Sequence, residues 1–485
     1  MLDDSVLKKI RECVGAGNLL TAPEDLMVYS YDATALLRQM PGAVVKAQSV
    51  DQISALLRLA NEAGFPIVPR GSGSGLSGGA VPVKDCVVLL TPTMNRILEI
   101  DPYNLTALVE PGVITYNLHQ AVEAKGLFYP PDPSSMRICT LGGNIAENSG
   151  GLRGLKYGVT QDYVLGLEVV LPNGEVLWTG GKSAKGVAGY NLRRLFVGSE
   201  GTLGIFTKIL LKLLPKPAAK KTLVAYFPKV SQCAETVAAI IAHPVIPATL
   251  EMLDQTTINC VEDYAKLGLP RDAEAMLLVE TDGHPVVVAE EAETMGKIAT
   301  RHGATRVQIA RSEEEATRLF SARRIAFPAL ARLKPTTLLE DMVVPRSELP
   351  PMFEKIEAIR KRHGILIGTY GHVGDGNLHP TLVLDERDHA EVERMKRAFD
   401  EILQAAVQLG GTIAGEHGVG LLKKDFLPKL AGEAGIDTMK KFKASMDPNS
   451  ILNPGKIFST SPRCEGRLPS QKIDVEKLLA MEAYF

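Results

Sequence analysis

The segment Gly371-His-Val-Gly-Asp-Gly-Asn-Leu-His379 carries two histidines seven residues apart, around an Asp375-Gly376 pair. An Asp-Gly pair between apolar runs specifies a hairpin with a two-residue type I′ turn. Counting outward from that turn pairs Gly374 with Asn377, Val373 with Leu378 and His372 with His379. Directly opposed residues share one face, with Cβ atoms roughly 4.5–5.5 Å apart, so both imidazoles are expected to reach one metal ion. Taken alone, such a pair equally fits two stacked or solvent-facing rings. The chain has only nine histidines, however, and another lies in Gly415-Glu-His-Gly-Val-Gly420. Glycines on both sides of that Glu-His pair free the backbone to aim both side chains at one point. The remaining six (His119, His243, His284, His302, His363 and His389) lie in helix-like or loop-like stretches without partners and read as surface or core residues.

A second kind of chemistry is suggested upstream. Pro69-Arg-Gly-Ser-Gly-Ser-Gly-Leu-Ser-Gly-Gly79 directly follows a strand-like stretch. Backbone so rich in glycine can bring N–H groups close enough to cradle a pyrophosphate. It is neither a P-loop nor a Rossmann fingerprint, because no G-K-[ST] ends it and no long helix follows. Alone, it could be a flexible Gly/Ser loop. Three further elements of the same character follow: Asp132-Pro-Ser-Ser135, Leu141-Gly-Gly-Asn-Ile-Ala-Glu-Asn-Ser-Gly-Gly151 and Gly198-Ser-Glu-Gly-Thr-Leu-Gly-Ile205. Four such elements in one stretch favour a large ligand approached closely by backbone.

The elements that must position these residues can be read coarsely. Residues 1–40 form a short helical segment. Gly42 to Val50 reads as a strand, Asp51 to Ala63 as a helix with Ile53, Leu56, Leu57 and Ala60 on one face that stops at Gly64, and Pro66 to Pro69 as a strand. That is a β-α-β opening. Val87–Leu90 is the next strand, and Ile97–Glu110 a hairpin turning near Pro102-Tyr-Asn104. Pro215-Lys-Pro217 marks a composition break. Beyond it, Thr222–Phe227, Thr249–Leu253, Ala275–Thr281 and Thr305–Ile309 read as strands. Ser231–Ala242, Val286–His302 and Glu313–Arg332 read as the helices between them. Phe353–His363 is another helix, Ile365–Leu384 the metal hairpin and Ala390–Leu409 a long helix. The expected class is α+β: a glycine-rich domain over residues 41–217, then a second domain over 218–412 whose mostly antiparallel sheet is covered by helices on one side. Residues 413–485 form a C-terminal segment, rich in turn residues yet studded with apolar ones.

The bulk properties fit a soluble globular protein. At 485 residues the chain calls for two or three domains. Its net charge of −2 with interspersed signs excludes the basic face of a nucleic-acid binder. The N-terminal MLDDSVLKKIRECVG lacks the apolar core of a signal peptide, and no stretch of 18 apolar residues suggests a membrane span. The six cysteines, including Cys464, form no C-x-x-C pair, so neither a zinc knuckle nor an iron–sulfur cluster is encoded. The expected setting is cytoplasmic, with peripheral attachment to the inner face of a membrane left open.

The four glycine-rich elements, in this order, resemble the FAD-binding domain of the vanillyl-alcohol oxidase and p-cresol methylhydroxylase (PCMH-type) superfamily. Within it the chain, from about Pro41 to Phe458, is similar to the branch of D-type glycolate oxidase subunits and bacterial D-lactate dehydrogenases. The resemblance implies that Arg70, Gly71, Ser72, Gly73, Ser74, Gly75, Leu76, Ser77 and Gly78 wrap the FAD pyrophosphate. It implies that Pro111, Asp132, Ser135, Gly142, Gly143, Asn144, Asn148, Gly150, Gly151, Glu200, Gly201, Gly204 and Ile205 line the isoalloxazine and adenosine portions. Some relatives tether the flavin through a histidine or cysteine. Residues 70–79 contain neither, so the FAD is expected to be held without a covalent bond, Cys139 being the one residue that keeps the alternative open. The family motif H-x-G-D-G-N-x-H implies His372 and His379 as metal ligands, and G-E-H-G implies Glu416 as the third ligand and His417 as the catalytic base. Such a set suits a catalytic zinc first, with iron(II) or manganese as alternatives. Relatives also place a substrate-binding arginine near Ser321-Ala-Arg-Arg324. Arg324 is the first choice and Arg323 the second, because a guanidinium fork binds carboxylate bidentately.

The implied activity is FAD- and metal-dependent oxidation of a small D-2-hydroxy acid, D-lactate or glycolate first, to the 2-oxo acid. With no cluster in the chain, electrons must leave for a partner: an iron–sulfur subunit, an electron-transfer flavoprotein, a quinone or a cytochrome. Two rivals are a metal-free oxidase of alcohols, sugars or lactones on the same fold, and a non-catalytic flavin-binding subunit. For the cofactor, purified protein is expected to carry about one FAD per chain, on the strength of the four glycine-rich elements. Acid precipitation should release it to the supernatant. Flavin retained in the pellet would establish a covalent link and point to Cys139.

Overall fold

The computed structural model describes residues 2–183 and 185–458; Cys464 lies outside them. The N-terminal half builds two larger sheets, besides a short pairing of Leu127–Phe128 with Leu214–Pro215. In the first, Ala43–Lys46, Val87–Leu90 and Ile67–Arg70 run parallel, and Leu19–Leu20 pairs antiparallel with the outer edge. The segment read as purely helical therefore contains a strand between the helices Asp4–Val14 and Pro23–Val28. Leu19 and Leu20 lie against the open edge of Ala43–Lys46, where they supply the backbone partners that edge lacks.

The helix Val50–Ala63 buries Ile53, Leu56, Leu57 and Ala60 against this sheet and ends at Gly64, whose φ of 72° is the left-handed conformation a helix stop requires. The preceding strand is shorter than the sequence suggests. Ser49 turns its hydroxyl to the amide of Gln52, so the chain enters the helix at Val50. The second sheet is antiparallel and orders Ile97–Asp101, Thr106–Val109, Ile205–Lys212, Val164–Val170 and Val176–Gly180.

The C-terminal half is organised by a larger antiparallel sheet. Its order is Arg306–Ile309, Ala219–Phe227, Ala275–Gly283, Thr249–Asp254, Leu366–Gly371, Asn377–Leu384 and Thr336–Leu339. Met342–Val343 adds a short pairing to Asn377–Leu384. Helices cover both faces, not one. Along Ala219–Phe227, Leu223, Ala225 and Phe227 enter one core with Val230–Ala242, Pro285–Arg301, Leu349–His363 and His389–Gln408. Val224 and Tyr226 enter a second core with Gln255–Ala265 and two helices that follow it. Successive strand residues point to opposite faces, so a strand apolar at every position must be covered twice.

Those two helices are Glu313–Arg324 and Ala326–Ala331, broken at Ile325 where the sequence suggests one continuous helix. Pro328 gives the reason: in a continuous helix its ring would clash with the carbonyl of Arg324, four residues earlier. The helix Gln255–Ala265 and the helical stretch Leu427–Met446, kinked at Gly432 (φ 67°), have no counterpart in the sequence reading.

After Leu427–Met446 the chain returns to the first sheet. Ile67 donates to the Ile451 carbonyl at 2.7 Å, and the Asn453 amide donates back to Ile67 at 2.8 Å. Lys443, buried, donates to the carbonyls of Thr202 (2.6 Å) and Leu452 (2.9 Å) and pairs with the buried Asp447. Asn453 reaches the carbonyls of Gly79 (3.0 Å) and Glu200 (2.7 Å), and Lys456 that of Val81 (2.7 Å). Removing one partner of a buried ion pair strands the other charge. Asp447→Ala is therefore expected to destabilise the protein by about 3–5 kcal/mol, read from guanidinium and thermal unfolding of the FAD-loaded chain. A variant with parental stability would remove this clamp from the account of how the tail is held.

Candidate active site

The hairpin that carries the two histidines differs in register from the sequence expectation. Tyr370, not His372, stands opposite His379, and the Asn377 amide bonds the His372 carbonyl at 3.1 Å. Four residues, Val373 to Gly376, form the turn. Tertiary contacts hold it open: the Gly374 amide donates to Leu250 (3.2 Å) and the Gly376 carbonyl accepts from Val344 (3.1 Å). A slip of two preserves the face of every side chain, so the histidines become diagonal neighbours that still meet. Their ring centroids are 5.1 Å apart at 88°.

Glu416 closes the group. Its Oε1 stands 3.1 Å from His372 Nε2 and 3.3 Å from His379 Nε2. Ligand bonds of about 2.1 Å at tetrahedral angles separate donor atoms by about 3.4 Å, so this spacing fits a divalent ion. The outer nitrogens are occupied in the way such ligands require. His372 Nδ1 meets Glu251 at 2.5 Å, and His379 Nδ1 faces the Glu340 carbonyl at 3.2 Å. Glu251 also accepts Arg323 Nε at 2.6 Å, giving a buried chain Arg323–Glu251–His372–Glu416. Burial alone would raise the Glu416 carboxyl, but His372, His379 and His417 hold it well below the usual carboxylate range. Burial alone would lower His372; Glu251 and Glu416 outweigh it and raise that imidazole well above its ordinary value.

His417 stacks on His379, with centroids 5.2 Å apart and 18° between planes. Its Nε2 is 3.7 Å from Glu416 and its Nδ1, buried and without a hydrogen bond, is 3.9 Å from Asp341. Burial pushes the His417 imidazole down despite these carboxylates, favouring the neutral ring. Asp341, His379 and His417 form a second group with metal-ligand spacing. Asp341 Oδ2, however, already accepts the amides of Gly415 (2.8 Å), Glu416 (2.9 Å) and His417 (2.9 Å), and its Oδ1 accepts Asn377 Nδ2 (2.7 Å). It positions the loop that bears both functional side chains.

Glu251, Asp341 and Lys423 escaped the sequence reading. Lys423 is fully buried, donates to the carbonyls of Asp341 (2.7 Å) and Ile413 (2.8 Å), and lies 3.3 Å from Glu340. The available signal was a carboxylate inside an otherwise apolar strand, as in Thr249-Leu-Glu-Met-Leu253 and Leu338-Leu-Glu-Asp-Met-Val343. Of the two arginines, Arg323 is buried over the Tyr370 ring and spent on Glu251. Arg324 is exposed at the helix end, with no hydrogen bond or ion pair among the described residues beyond its approach to the Phe320 ring at 5.9 Å. It lies close enough to Asp132 to favour that carboxylate's charged form.

The residues expected to hold the cofactor gather around this group from the N-terminal half. Arg70 is buried, donates to the Tyr31 carbonyl at 2.6 Å and opens the loop that runs through Gly71, Ser72, Gly73, Ser74, Gly75, Leu76, Ser77 and Gly78. Ser72 and Ser74 place their hydroxyls 3.4 Å apart, while the buried Ser77 hydroxyl has no partner. Gly142, Gly143 and Asn144 lie in the short helix Leu141–Glu147, beside Pro111, and Asn148 ends it in the left-handed conformation. A β-carbon on Gly142 would stand 2.7 Å from Pro111. Packing of the fold itself thus requires glycine there, and the same holds at Gly201 against Pro69 and Gly204 against Val169, just before Ile205.

The Ser135 carbonyl accepts the amides of Ile138 and Cys139. Cys139 is buried, its thiol 3.3 Å from Thr115 and raised by burial. Asp132 is buried against Gly151, and burial, offset in part by Arg153, pushes its carboxyl up to about 6. Both Glu200 oxygens accept amides of the C-terminal loop, Val419 and Gly420, at 2.7 Å each. Gly150 meets the metal candidates directly: a β-carbon there would lie 2.9 Å from Glu416 Oε2.

If Glu251 orients His372, Glu251→Gln should leave FAD bound but lower bound-metal affinity or flavin reduction by about 10- to 100-fold. Metal analysis and single-turnover absorbance check this, and a variant with parental values for both would show Glu251 to be dispensable.

The chain matches two family models: an FAD binding domain over residues 41–180 and the C-terminal domain of FAD linked oxidases over residues 216–457. It is 54% identical to glycolate oxidase subunit GlcD of Bacillus subtilis, covering 96% of this chain and 98% of that protein. It is 33% identical to a D-lactate dehydrogenase of Anaerostipes hadrus, covering 93% and 97%. Among solved structures, 4-ethylphenol oxidase from Gulosibacter chungangensis superposes with a TM-score of 0.79 at 20% identity, covering 95% of this chain and 98% of that one. p-Cresol methylhydroxylase superposes with the same score, so the PCMH-type fold is shared. Family models spanning both halves and relatives aligned over nearly their full length lead to one conclusion: this chain belongs to the FAD-linked oxidases and is an FAD-linked oxidoreductase.

Proposed function

We propose that the protein oxidises a small D-2-hydroxy acid, D-lactate or glycolate first, to the corresponding 2-oxo acid. The observation that carries this reading is the convergence of His372, His379 and Glu416 beside His417, with Glu416 lying against Gly150 of a glycine-rich loop in the other half. The names of the relatives, glycolate oxidase subunit and D-lactate dehydrogenase, support the substrate class.

His372, His379 and Glu416 would hold a divalent ion, and Arg70 to Gly78 with the three later glycine-rich elements would hold FAD. The bound ion, zinc before iron(II) or manganese, supplies Lewis acidity toward the substrate hydroxyl, and FAD supplies the acceptor for a hydride. His417, kept neutral by burial, takes the hydroxyl proton. Arg324 binds the carboxylate in bidentate fashion and so fixes which face of the α-carbon is presented. Arg323 keeps Glu251 against His372. The carbon–hydrogen bond of C2 breaks with its electron pair leaving as hydride, the hydroxyl loses a proton, and the oxo acid remains. With FAD bound, the two electrons would leave for a separate acceptor: an iron–sulfur subunit, an electron-transfer flavoprotein, a quinone or a cytochrome. The word subunit in the relatives' names supports a partner chain. No helix among the described residues is long and apolar enough to cross a membrane.

Anaerobic titration of the flavin absorbance with D- and L-2-hydroxy acids tests the substrate class, with bleaching expected for the D-acids or glycolate. Prolonged chelation should abolish that bleaching while FAD stays bound. His417→Gln separates base from ligand: metal and FAD should remain, and reduction should slow by about 10²–10⁴-fold. His379→Gln should lose metal and reduction together. If His417→Gln loses metal as His379→Gln does, the division of roles is wrong.

A further inference from the structure

The stretch from Gly150 to Tyr157 is where the N-terminal half meets the metal-site face of the C-terminal half. Gly150 backs onto Glu416, and a β-carbon at Gly154 would lie 2.9 Å from Asp375. Lys156 donates to the carbonyl (2.6 Å) and carboxylate (2.5 Å) of Asp282, and the Tyr157 hydroxyl donates to the same carboxylate at 2.7 Å. Arg153 sits in the middle of these contacts.

Its backbone and side chain are held by Asp132 and Phe128. The amide donates to Asp132 Oδ1 at 3.2 Å, Nε lies 3.4 Å from Asp132 Oδ2, and the guanidinium stands 4.8 Å from the centre of the Phe128 ring. Its terminal nitrogens have no acceptor among the described residues, and the side chain is 24% exposed, so they are available to an incoming anion. Asp132, itself buried, is subject to the charges of Arg153, Arg324 and His372. One buried carboxylate is therefore paired with the Arg153 guanidinium of its own half and feels the charge of Arg324 and His372 from the other.

We propose that Arg153 is a second carboxylate-binding residue, gripping the substrate carboxylate from the flavin-binding half while Arg324 grips it from the other. Asp132 is then a positioning residue that holds the Arg153 fork in place before substrate arrives. The inference rests on the reading of the substrate as a 2-hydroxy acid. A carboxylate has about four lone-pair sites and can accept two guanidinium forks. A pinned arginine loses little side-chain freedom on binding, so its contribution appears in affinity. The arrangement makes the substrate itself a bridge between the halves, selects against neutral alcohols and sugars, and leaves C2 in the gap where hydride and proton must part.

The test is single-turnover flavin reduction of the FAD-loaded chain by D-lactate and by glycolate, comparing the parent with Arg153→Ala and Arg153→Lys. For Arg153→Ala the half-saturating acid concentration should rise by about 10- to 100-fold, with the limiting rate, FAD content and metal content retained. Added guanidinium chloride at non-denaturing concentration should move that variant back toward the parent, and Arg153→Lys should fall between. Unchanged half-saturation, or a loss that guanidinium does not restore while FAD and metal remain, would overturn the inference. If Arg153→Ala fails to fold, the half-saturating concentration of Arg153→Lys decides alone: a rise with FAD and metal retained supports the inference, and a parental value overturns it. A parent chain reduced by neither acid overturns the hydroxy-acid reading first, and this inference with it.

Discussion

The candidate site depends on the carboxylate of Asp341. One of its oxygens accepts three consecutive amides, Gly415, Glu416 and His417, and the other accepts Asn377 of the histidine hairpin. A carboxylate that receives several N–H bonds stays charged even when fully buried, and Asp341 is held well below the usual range by His417, Lys423 and His379 against the cost of its burial. This single group fixes the Glu416–His417 loop to the sheet that carries His372 and His379. Without it, Glu416 and His417 would lose the bonds that hold their own backbone, leaving the loop tied to the fold by Glu200 further along.

Around that hub, charge is balanced by chains of contact. Glu251 sits between Arg323 and His372, Glu340 between Lys423 and the histidine side, and Glu416 among three imidazoles. Such groups are costly to bury singly, and pairing only repays that cost when the remaining donors and acceptors are met. Their arrangement is better understood as orientation than as stability. Each partner removes one rotational choice from a ligand or base, which is what a reactive group needs before substrate arrives.

The flavin-binding half is tied to this chemistry by backbone as much as by side chains. Glu200 accepts the amides just beyond the base, Gly150 leaves room for Glu416, and the returning tail fastens Gly79, Val81 and Glu200 through Asn453 and Lys456. Several glycines that look like cofactor contacts are also required by close packing within the fold, as Gly142, Gly201 and Gly204 illustrate. A glycine-rich motif of this kind serves two constraints at once, and the ligand is only one of them.

Much of this was legible from the residues themselves. Period-3.6 spacing and a glycine stop marked Val50–Ala63, and the apolar strands of the second half stood out by their runs. The histidine hairpin was recognisable from its turn pair, and although its register is off by two, the shared face survives because strand side chains repeat every two residues. What could not be read were the groups whose meaning is a partner far along the chain. Glu251 and His372 are separated by 121 positions and Asp341 and Glu416 by 75. Helix cover on the second face and the break at Ile325 likewise depend on what packs alongside. The glycine-rich loops, the His372–His379 hairpin and most of the elements that carry them could be read from the chain alone, because they follow from local spacing and backbone freedom. Only the tertiary structure decided which carboxylate orients which histidine and which arginine stays uncommitted, because pairing in a buried interior is set by three-dimensional proximity, and no local pattern encodes it.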